Sequence, residues 1–557
     1  MASLEKHILP LGEKHAKHLL RRASFKYTKV LIDQLKVLTP TQALDFLTIP
    51  TSLIVAKPYD PDPLGAPYGF FTDITDPAHP AYFLGTPKRT SIVSAWWWYN
   101  AINAGTLEYK LSHFLSTKFT VEKSNGASGS ALEFYDHVCL LLFYSYGNFK
   151  KFAKRMCLDN TMSAYLGNNF NRKNSPNENY AREFFELFTI GKGKQIEPGN
   201  YTNYTENDIV EAAKLLTGIR RRRERDIIDT ETNIASTRYN FPDHKLGQKK
   251  FSAAFNNKII DSAINEAGMD AELTEFVEMV FGKIETAKHF CRRLYIYFVR
   301  STISQEVEQD IITPLAQELY NNNYEILPIV RKLLESKHFY DLDDSNSEDE
   351  VIGGIIKSPL QLFSETFTYL NCTTKNPNII AETRDFYIFF WDRFVHNTFF
   401  SGANMLPFDP ETVAGHSAYH QSPEFDKAWI SAATLISRYR MGESLIEGRN
   451  KISPNADIKA KIDIVTVIKD AGIISNPSDP NILCKELCDA LFGQIPTKER
   501  VDYFKNSFLL KDAPGNQDFY WTSEWNKFLS TNNKSVVEPR LKELIIKIIS
   551  APEFQLF

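Results

Sequence analysis

The chain has 557 residues, of which 43% are hydrophobic, 13% aromatic and 24% charged, and its formal net charge is -4. This composition is typical of a soluble protein with a sizeable core, and the length allows three or four average domains or one large helical body. The slightly negative charge excludes a global basic field of the kind that attracts nucleic acids or anionic membrane surfaces.

The N-terminal part shows helical periodicity interrupted by a Pro- and Gly-rich segment. Short helices are predicted between residues 12 and 48, and residues 49–88 are expected to form an irregular loop. Helical periodicity returns with three consecutive tryptophans at 96–98. Since consecutive helical positions are about 100° apart, at least one tryptophan must pack against another element. No apolar run has the length of a signal peptide or membrane span, so a cytoplasmic protein is expected.

The stretch from Ser175 to Gly193 has the most complete helix signals. Ser175 is a favourable N-cap, Glu178 completes a capping box, and Gly191 can end the helix. One face is predicted to be apolar, formed by Tyr180, Ala181, Phe184, Leu187 and Phe188. The opposite face is polar, formed by Glu178, Asn179, Arg182, Glu183 and Glu186.

Two interpretations of this polar face are open, namely a solvated surface and a face turned into a cleft. In a cleft, two carboxylates three positions apart can share a proton, and an arginine can hold an anionic substrate. The candidate catalytic residues are Glu183, Glu186 and His244. The candidate binding residues are Asn179, Arg182, Lys249, Arg21 and Arg22.

A second helix is predicted from Tyr204 to Gly218, with Thr205 and Asp208 as its capping box. Five arginines follow within residues 220–225 and offer an alternative anion or RNA site, although nearby acids weaken it. Residues 226–260 are expected to hold an irregular insertion with a small hairpin, and the acidic segment 341–356 is expected to be a loop.

Metal and cofactor sites find little support in the sequence. The six cysteines are scattered without a CxxC pair, which indicates reduced thiols. His416 and His420 are four residues apart, but no third ligand accompanies them. The sequence therefore predicts no cofactor and no metal site, and it predicts an all-α fold with long irregular loops.

Several segments resemble, in order, the motifs of one bacterial family. SPNENYAREFFELFTIG and NYTENDIVEAAKLLTGI are similar to NPNENYARELLELFTLG, GxYTExDV and ALTGW of the domain of unknown function 1800 family. HLLRRASF, CRRLYIYFV, KSPLQL and FDPETVAGH resemble further motifs of that family. The resemblance covers residues 18–440, which are expected to form a helical domain with residues 441–557 packed on it as a helical extension.

The chain departs from the family at positions whose side chains could act as metal ligands or catalytic groups. EYKLSHFLSTKF corresponds to the family motif EKMTLFWHNHF, so Ser116 and Lys118 stand in place of two histidines. Lys245 stands where the family motif HDxGxK has an aspartate. If those histidines are ligands or bases in the family, their chemistry is lost here.

The resemblance implies a partner rather than a reaction. Members are often encoded beside the domain of unknown function 1501 family, which resembles phosphatase- and sulfatase-like hydrolases. The leading hypothesis is therefore a soluble helical binding or accessory protein with such a protein partner. One alternative is a hydrolase whose cleft combines the polar helix face with His244 and Lys249. The other is RNA or anion binding through the arginine run, with nucleic acid the least favoured partner.

Overall fold

Helices dominate the structure, a computed structural model that describes residues 2–59, 87–122, 129–344, 350–450 and 460–557. Strands in these ranges form four short antiparallel pairs. The predicted mainly helical fold is therefore confirmed. Most of the predicted loop 49–88 and part of the loop 341–356 lie outside the described residues.

The helices follow one another along the whole described chain. In the first half they are α1 (Gly12–Ala23), α2 (Lys29–Leu35), α3 (Pro40–Leu47), α4 (Pro87–Ala104), α5 (Leu107–Ser116), α6 (Ala131–Phe143), α7 (Phe149–Cys157), α8 (Asn160–Tyr165), α9 (Asn179–Glu183), α10 (Glu206–Leu215) and α11 (Glu266–Phe281). In the second half they are α12 (Ile284–Phe298), α13 (Gln305–Val307), α14 (Thr313–Asn321), α15 (Ile326–Leu334), α16 (Pro359–Tyr369), α17 (Ile380–Arg384), α18 (Ser417–His420), α19 (Ala432–Glu447), α20 (Ile464–Asp470), α21 (Pro480–Leu491), α22 (Lys498–Phe504), α23 (Gln517–Thr531) and α24 (Val537–Ile549). Wider π-helical turns occupy Phe184–Phe188, Glu308–Ile312, Asp385–Phe400 and Lys505–Leu509.

The strands form small hairpins and long-range pairs between the helices. They are β1 (Gln195–Glu197) with β2 (Asn200–Tyr201), β3 (Ile219–Arg220) with β4 (Arg238–Tyr239), β5 (Lys249–Lys250) with β6 (Ile259–Ile260), and β7 (Thr373–Thr374) with β8 (Ala460–Lys461). In the β5–β6 hairpin, Lys249 is opposite Ile260. This hairpin lies in the region 226–260, where the sequence predicted one.

Helix α4 is buried over most of its length between Thr90 and Ile102. Trp96, Trp97 and Trp98 are fully buried, and their indole N–H groups donate to the Val55 carbonyl at 2.6 Å and to the hydroxyls of Ser112 and Ser364 at 3.0 Å each. A helix that is apolar around its circumference belongs in the interior of a large core. Across the described residues, no helix has both the length and the apolar character needed to cross a membrane.

The last hundred residues are joined to the first helix by buried hydrogen bonds. Lys17 and Arg21 of α1 donate to the backbone oxygens of Asp489 and Ala490 at 2.7 and 2.6 Å. These contacts anchor the end of α21 on α1. The boundary predicted at residue 440 falls within α19, and the division into two domains stays a prediction.

The end of α10 positions the loop that carries His244. The predicted capping box is present at its start, where the Asp208 carboxylate accepts from the Thr205 N–H at 2.8 Å. Gly218, just beyond its end, has φ +81°, and a Cβ at this position would lie 2.8 Å from the Asn240 carbonyl oxygen. Glycine is needed here for both its left-handed conformation and its small size.

We expect Gly218→Ala to destabilise the fold more than Gly247→Ala. Both residues have positive φ, but a Cβ on Gly247 would meet no atom within 4 Å. The conformational cost of about 1–2 kcal/mol is common to both variants, and overpacking adds about 1–3 kcal/mol at Gly218. Thermal and urea unfolding of the two variants measures the difference, and equal losses would contradict the role given to the Asn240 contact.

Candidate functional site

The helix at the centre of the family-like motif begins later than its sequence suggests. Ser175 pairs with Arg172 in an isolated bridge, and α9 begins at Asn179. The Asn177 side chain accepts from the Asn179 N–H at 3.0 Å, while Glu178 reaches Arg182 instead of a backbone group. The predicted capping box at Ser175 and Glu178 is therefore wrong. An asparagine side chain competes successfully for the local backbone donor.

The predicted apolar face is buried. Tyr180, Phe184 and Phe188 are at most 1% exposed. At Phe184 the helix widens into a π turn, in which the Thr189 N–H donates to the Phe184 carbonyl at 3.0 Å. Such widening is frequent at functional sites. Here it places the neighbouring Phe185 in the core as well.

The polar face is half-buried, and most of its charges are paired. Arg182 donates to both oxygens of Glu206 and to Glu178, and its side chain is 35% exposed. Glu186 forms an ion pair with Lys192. Asn179, a candidate binding residue, is exposed and donates to the Leu166 carbonyl at 3.2 Å. This bond ties the start of α9 to the end of α8.

Glu183 differs from its neighbours on this face. In the described structure its half-buried carboxylate has no hydrogen-bond or ion-pair partner. Burial, reinforced by the negative charge of Glu186, raises the pKa of Glu183 to about 7. The positive charges of Arg182 and Lys192 lower the pKa of Glu183, but they do not outweigh burial and Glu186. A group that exchanges its proton near neutral pH is suited to acid–base chemistry.

His244 and Lys249 belong to a different, fully buried network. The His244 Nε2 atom lies 3.0 Å from Glu272, its Nδ1 atom lies 2.9 Å from the Thr217 carbonyl, and the Lys249 ammonium donates to Glu272 at 2.7 Å. Glu272 also accepts from the Ala263 N–H at 2.6 Å. Within the described ranges, no hydrogen bond or ion pair joins this network to Glu183 or Glu186.

Paired charges explain how this network tolerates burial. Burial opposes ionisation of Glu272, but the hydrogen bonds from His244 and Lys249 outweigh it and lower the pKa of Glu272. Burial lowers the pKa of Lys249, against the effect of the same carboxylate. Glu272 is not among the residues predicted from the sequence. The feature that could have identified it is an acidic residue between Met269, Leu273 and Phe276 on the core-facing stripe of α11.

Four of the five arginines in the run are paired with acids of the same chain. Each pair brings an arginine against a carboxylate from another element or the following turn: Arg220 with Asp243, Arg221 with Glu133, Arg222 with Asp226, and Arg225 with Asp136. These guanidinium groups are therefore engaged in structural ion pairs. An RNA or anion site at residues 220–225 would have to displace them.

His416 and His420 do not approach each other as metal ligands. Their Nε2 atoms lie 3.2 and 3.3 Å from the backbone oxygens of Leu406 and Gly415. In the part of the chain that the structure describes, no three His, Cys, Asp or Glu side chains are grouped to hold a metal ion.

The two consecutive arginines of α1 lie at the centre of the molecule. Arg21 is fully engaged, since it donates to Glu365 at 2.9 Å and to the backbone oxygens of Phe492 and Ala490 at 3.0 and 2.6 Å. The Lys357 ammonium lies 3.0 Å from the same oxygen of Glu365. Arg21 therefore serves the packing of distant segments.

Arg22 is as deeply buried, at 1% exposure, but it is incompletely bonded. Its Nη2 group donates to the backbone oxygens of Val351 and Phe557 at 3.0 and 2.6 Å. Its Nε and Nη1 groups have no hydrogen-bond partner. Burial lowers the pKa of Arg22 to about 9, so the guanidinium stays charged at neutral pH.

A cavity of about 30 Å³ lies beside Arg22. The polar residues on its wall are Arg22, Lys110, Tyr297, Ser301, Ser358, Gln361, Tyr419 and Asp426. The Lys110 Nζ group donates to the Gln361 Oε1 atom, while the Gln361 Nε2 group has no partner. The cavity thus collects buried hydrogen-bond donors that the protein does not satisfy, which is unusual in a folded core.

We expect Glu272→Gln to destabilise the fold by about 3–5 kcal/mol, because His244 and Lys249 lose their buried acceptor. The pKa of Glu272 is lowered in the folded state, so its stabilisation is present above the unfolded pKa of about 4.3 and is lost as the pH falls below it. The difference from the wild type should therefore shrink in acid.

Glu275→Gln in the same helix is the matched control, because Glu275 forms a surface pair with Lys258 at 2.9 Å. Its expected cost is below about 1 kcal/mol. Urea unfolding between pH 3 and pH 8 compares both variants, and similar costs would argue against a structural role for the buried network.

Comparison with known families matches residues 18–556 to the family described as protein of unknown function (DUF1800). No curated protein and no solved structure gives a match. The match extends the motif resemblance, seen to residue 440, through the C-terminal helices. The motifs, the helical fold and this nearly full-length match together establish that the chain belongs to the DUF1800 family of proteins of unknown function.

Proposed function

We propose that the protein binds a small carboxylate-bearing anion in the cavity beside Arg22. One observation carries the proposal: the Nε and Nη1 groups of this buried arginine lack partners, and Arg22 is one of the residues that line a cavity. A buried N–H without an acceptor costs about 1–3 kcal/mol, and more when the group is charged. A carboxylate supplies two acceptor oxygens in the geometry that a guanidinium fork prefers.

The hydrogen-bond donors around the cavity favour an anion. Arg22, which keeps its positive charge at neutral pH, lies on the wall with the Lys110 amine and with the Asp426 carboxylate. Asp426 accepts from the Ile356 N–H at 2.7 Å, and no ion pair within the described residues joins it to Arg22. The unpartnered Gln361 amide adds a further donor.

The size of the cavity limits the ligand. A volume of about 30 Å³ corresponds to two or three positions for water-sized groups, because one such position needs roughly 10–15 Å³. This size restricts the ligand to the smallest carboxylates and excludes a nucleotide or a sugar. The binding role agrees with the leading hypothesis from the sequence, and an accessory role beside a phosphatase- or sulfatase-like protein remains part of this proposal.

Acetate is the simplest probe of this proposal. At about 100 times its Kd, it should raise the free energy of unfolding by about 2.7 kcal/mol, as measured by thermal shift and calorimetry with the purified full chain. Arg22→Lys should abolish the response, because an ammonium group cannot replace the two free N–H groups of the fork. Arg21→Lys should lower stability but keep the response, because Arg21 already has all its acceptors.

Ala418→Val is a second variant that leaves every charge in place. Ala418 lines the cavity and is buried, so the added methyl groups fill space that the ligand needs. A wild type that does not respond to acetate, or a folded Arg22→Lys protein that responds as the wild type does, would contradict the proposal. Water alone would then occupy the cavity.

A second candidate function, a hydrolase, is favoured by Glu183. Its pKa of about 7 is that of an effective general acid or base at neutral pH. The residues expected to act with Glu183 in a hydrolase are not all available, because His244 and Lys249 are engaged with Glu272. In this proposal Glu183 would exchange the proton and Arg182, held by Glu206, would border the site.

We expect Glu183→Gln to raise stability relative to the wild type between about pH 5 and pH 8. The pKa of Glu183 is raised in the folded state, so its contribution to stability is present below the unfolded pKa of about 4.3 and is lost as the pH rises through 7. Glutamine mimics the protonated form and avoids this loss. Urea unfolding as a function of pH measures the difference.

Glu186→Gln is the matched control on the same face, because it removes a carboxylate that is paired with Lys192. It should show no such gain. A pH-independent difference between Glu183→Gln and the wild type would eliminate Glu183 as a group that titrates near neutrality.

A further inference from the structure

We propose that Lys110 is a nucleophile that forms an imine with a small 2-oxo carboxylate whose carboxylate group binds Arg22. This inference rests on the anion-binding role proposed above. It adds a covalent step and narrows the ligand to a carboxylate with an adjacent carbonyl carbon, of which glyoxylate and pyruvate are the smallest examples.

The position of Lys110 supports this role. It lies on α5, is 4% exposed, and shares the cavity wall with Arg22. Its only hydrogen bond in the described structure is to the Gln361 Oε1 atom, and its Nζ atom lies 4.2 Å from the centre of the Phe25 ring. No carboxylate within the described ranges pairs with it. The amine is therefore fixed at the wall without a counter-ion.

This environment makes the Lys110 ammonium ion easier to deprotonate. Burial, followed by the positive charge of Arg22, holds the pKa of Lys110 well below its ordinary value. Lysines become nucleophilic when they are desolvated beside another cationic group. Burial also lowers the pKa of Lys357, to about 7, but Lys357 lies against Glu365 at 3.0 Å and is not part of the cavity wall.

The step balances without an oxidant or reductant. The Nζ lone pair attacks the carbonyl carbon, and the amine proton moves to the carbonyl oxygen to give a carbinolamine. Loss of that oxygen as water then forms the C=N bond, so that ketone or aldehyde and amine become imine and water. The free N–H groups of Arg22 and the Gln361 amide can stabilise the oxygen anion, and Asp426 is the carboxylate on the wall that can carry the proton.

Reductive trapping tests the proposal. The purified full chain is incubated with glyoxylate or pyruvate and sodium borohydride, which reduces an imine to a stable secondary amine. We expect one adduct by intact mass, located on Lys110 by peptide mapping. Lys357 in the same sample is the internal control and should stay unmodified. Acetate cannot form an imine, so at about ten times its Kd it should lower the adduct yield about tenfold by competition.

Lys110→Met should bind acetate and give no adduct. If that variant does not fold, peptide mapping of the adduct and its suppression by acetate in the wild type still test the covalent role of Lys110. Acetate binding without an adduct on Lys110, or an adduct that acetate does not suppress, overturns the covalent role and leaves the anion site standing. Absence of both acetate binding and adduct overturns both proposals.

Discussion

The buried carboxylate of Glu365 connects parts of the chain that are far apart in sequence. It accepts from Arg21 at 2.9 Å and lies 3.0 Å from the Lys357 ammonium. Through Arg21 it also fixes the backbone oxygens of Ala490 and Phe492 at the end of α21. Charges removed from water need such partners, and a single carboxylate here serves two cations. The N-terminal helix, α16 and the C-terminal helices consequently share one centre.

The same requirement for hydrogen-bond partners gives the two neighbouring arginines different roles. Consecutive helical residues point about 100° apart, so Arg21 faces Glu365 while Arg22 faces the cavity. Arg21 has an acceptor for each of its donor nitrogens, whereas Arg22 retains two free groups. An identical residue type in the same helix is therefore structural at one position and available to a ligand at the next. Gln361 also has an unpartnered amide group and lines the same cavity as Arg22.

Elsewhere, charge clusters that look functional in the sequence are neutralised within the fold. Arg221 pairs with Glu133, and Arg225 pairs with Asp136. These two arginines therefore pack against acids of α6 and do not contribute to a basic patch. The polar face of α9 follows the same rule, with Glu183 as its exception. Glu183 and the wall of the cavity are therefore exceptions to this pairing.

The sequence by itself determined the features that depend on neighbouring residues. These include the helical periodicity, the cap formed by Thr205 and Asp208, the glycine at 218 and the ordered family motifs. Even here local competition mattered, because Asn177 displaced the predicted cap at the start of α9. Such signals act over a few residues, so they are readable from the chain alone.

Only the tertiary structure decided which candidate residues meet. It gave His244 and Lys249 a common partner in Glu272, 28 and 23 residues away, and it left Glu183 outside that network. It also placed Arg22 beside Lys110 and Gln361, which come from different helices. Periodicity states which face of a helix is buried but not what lies opposite that face. That depends on the packing of all the helices together, and it is this packing that separates a satisfied buried charge from a free one.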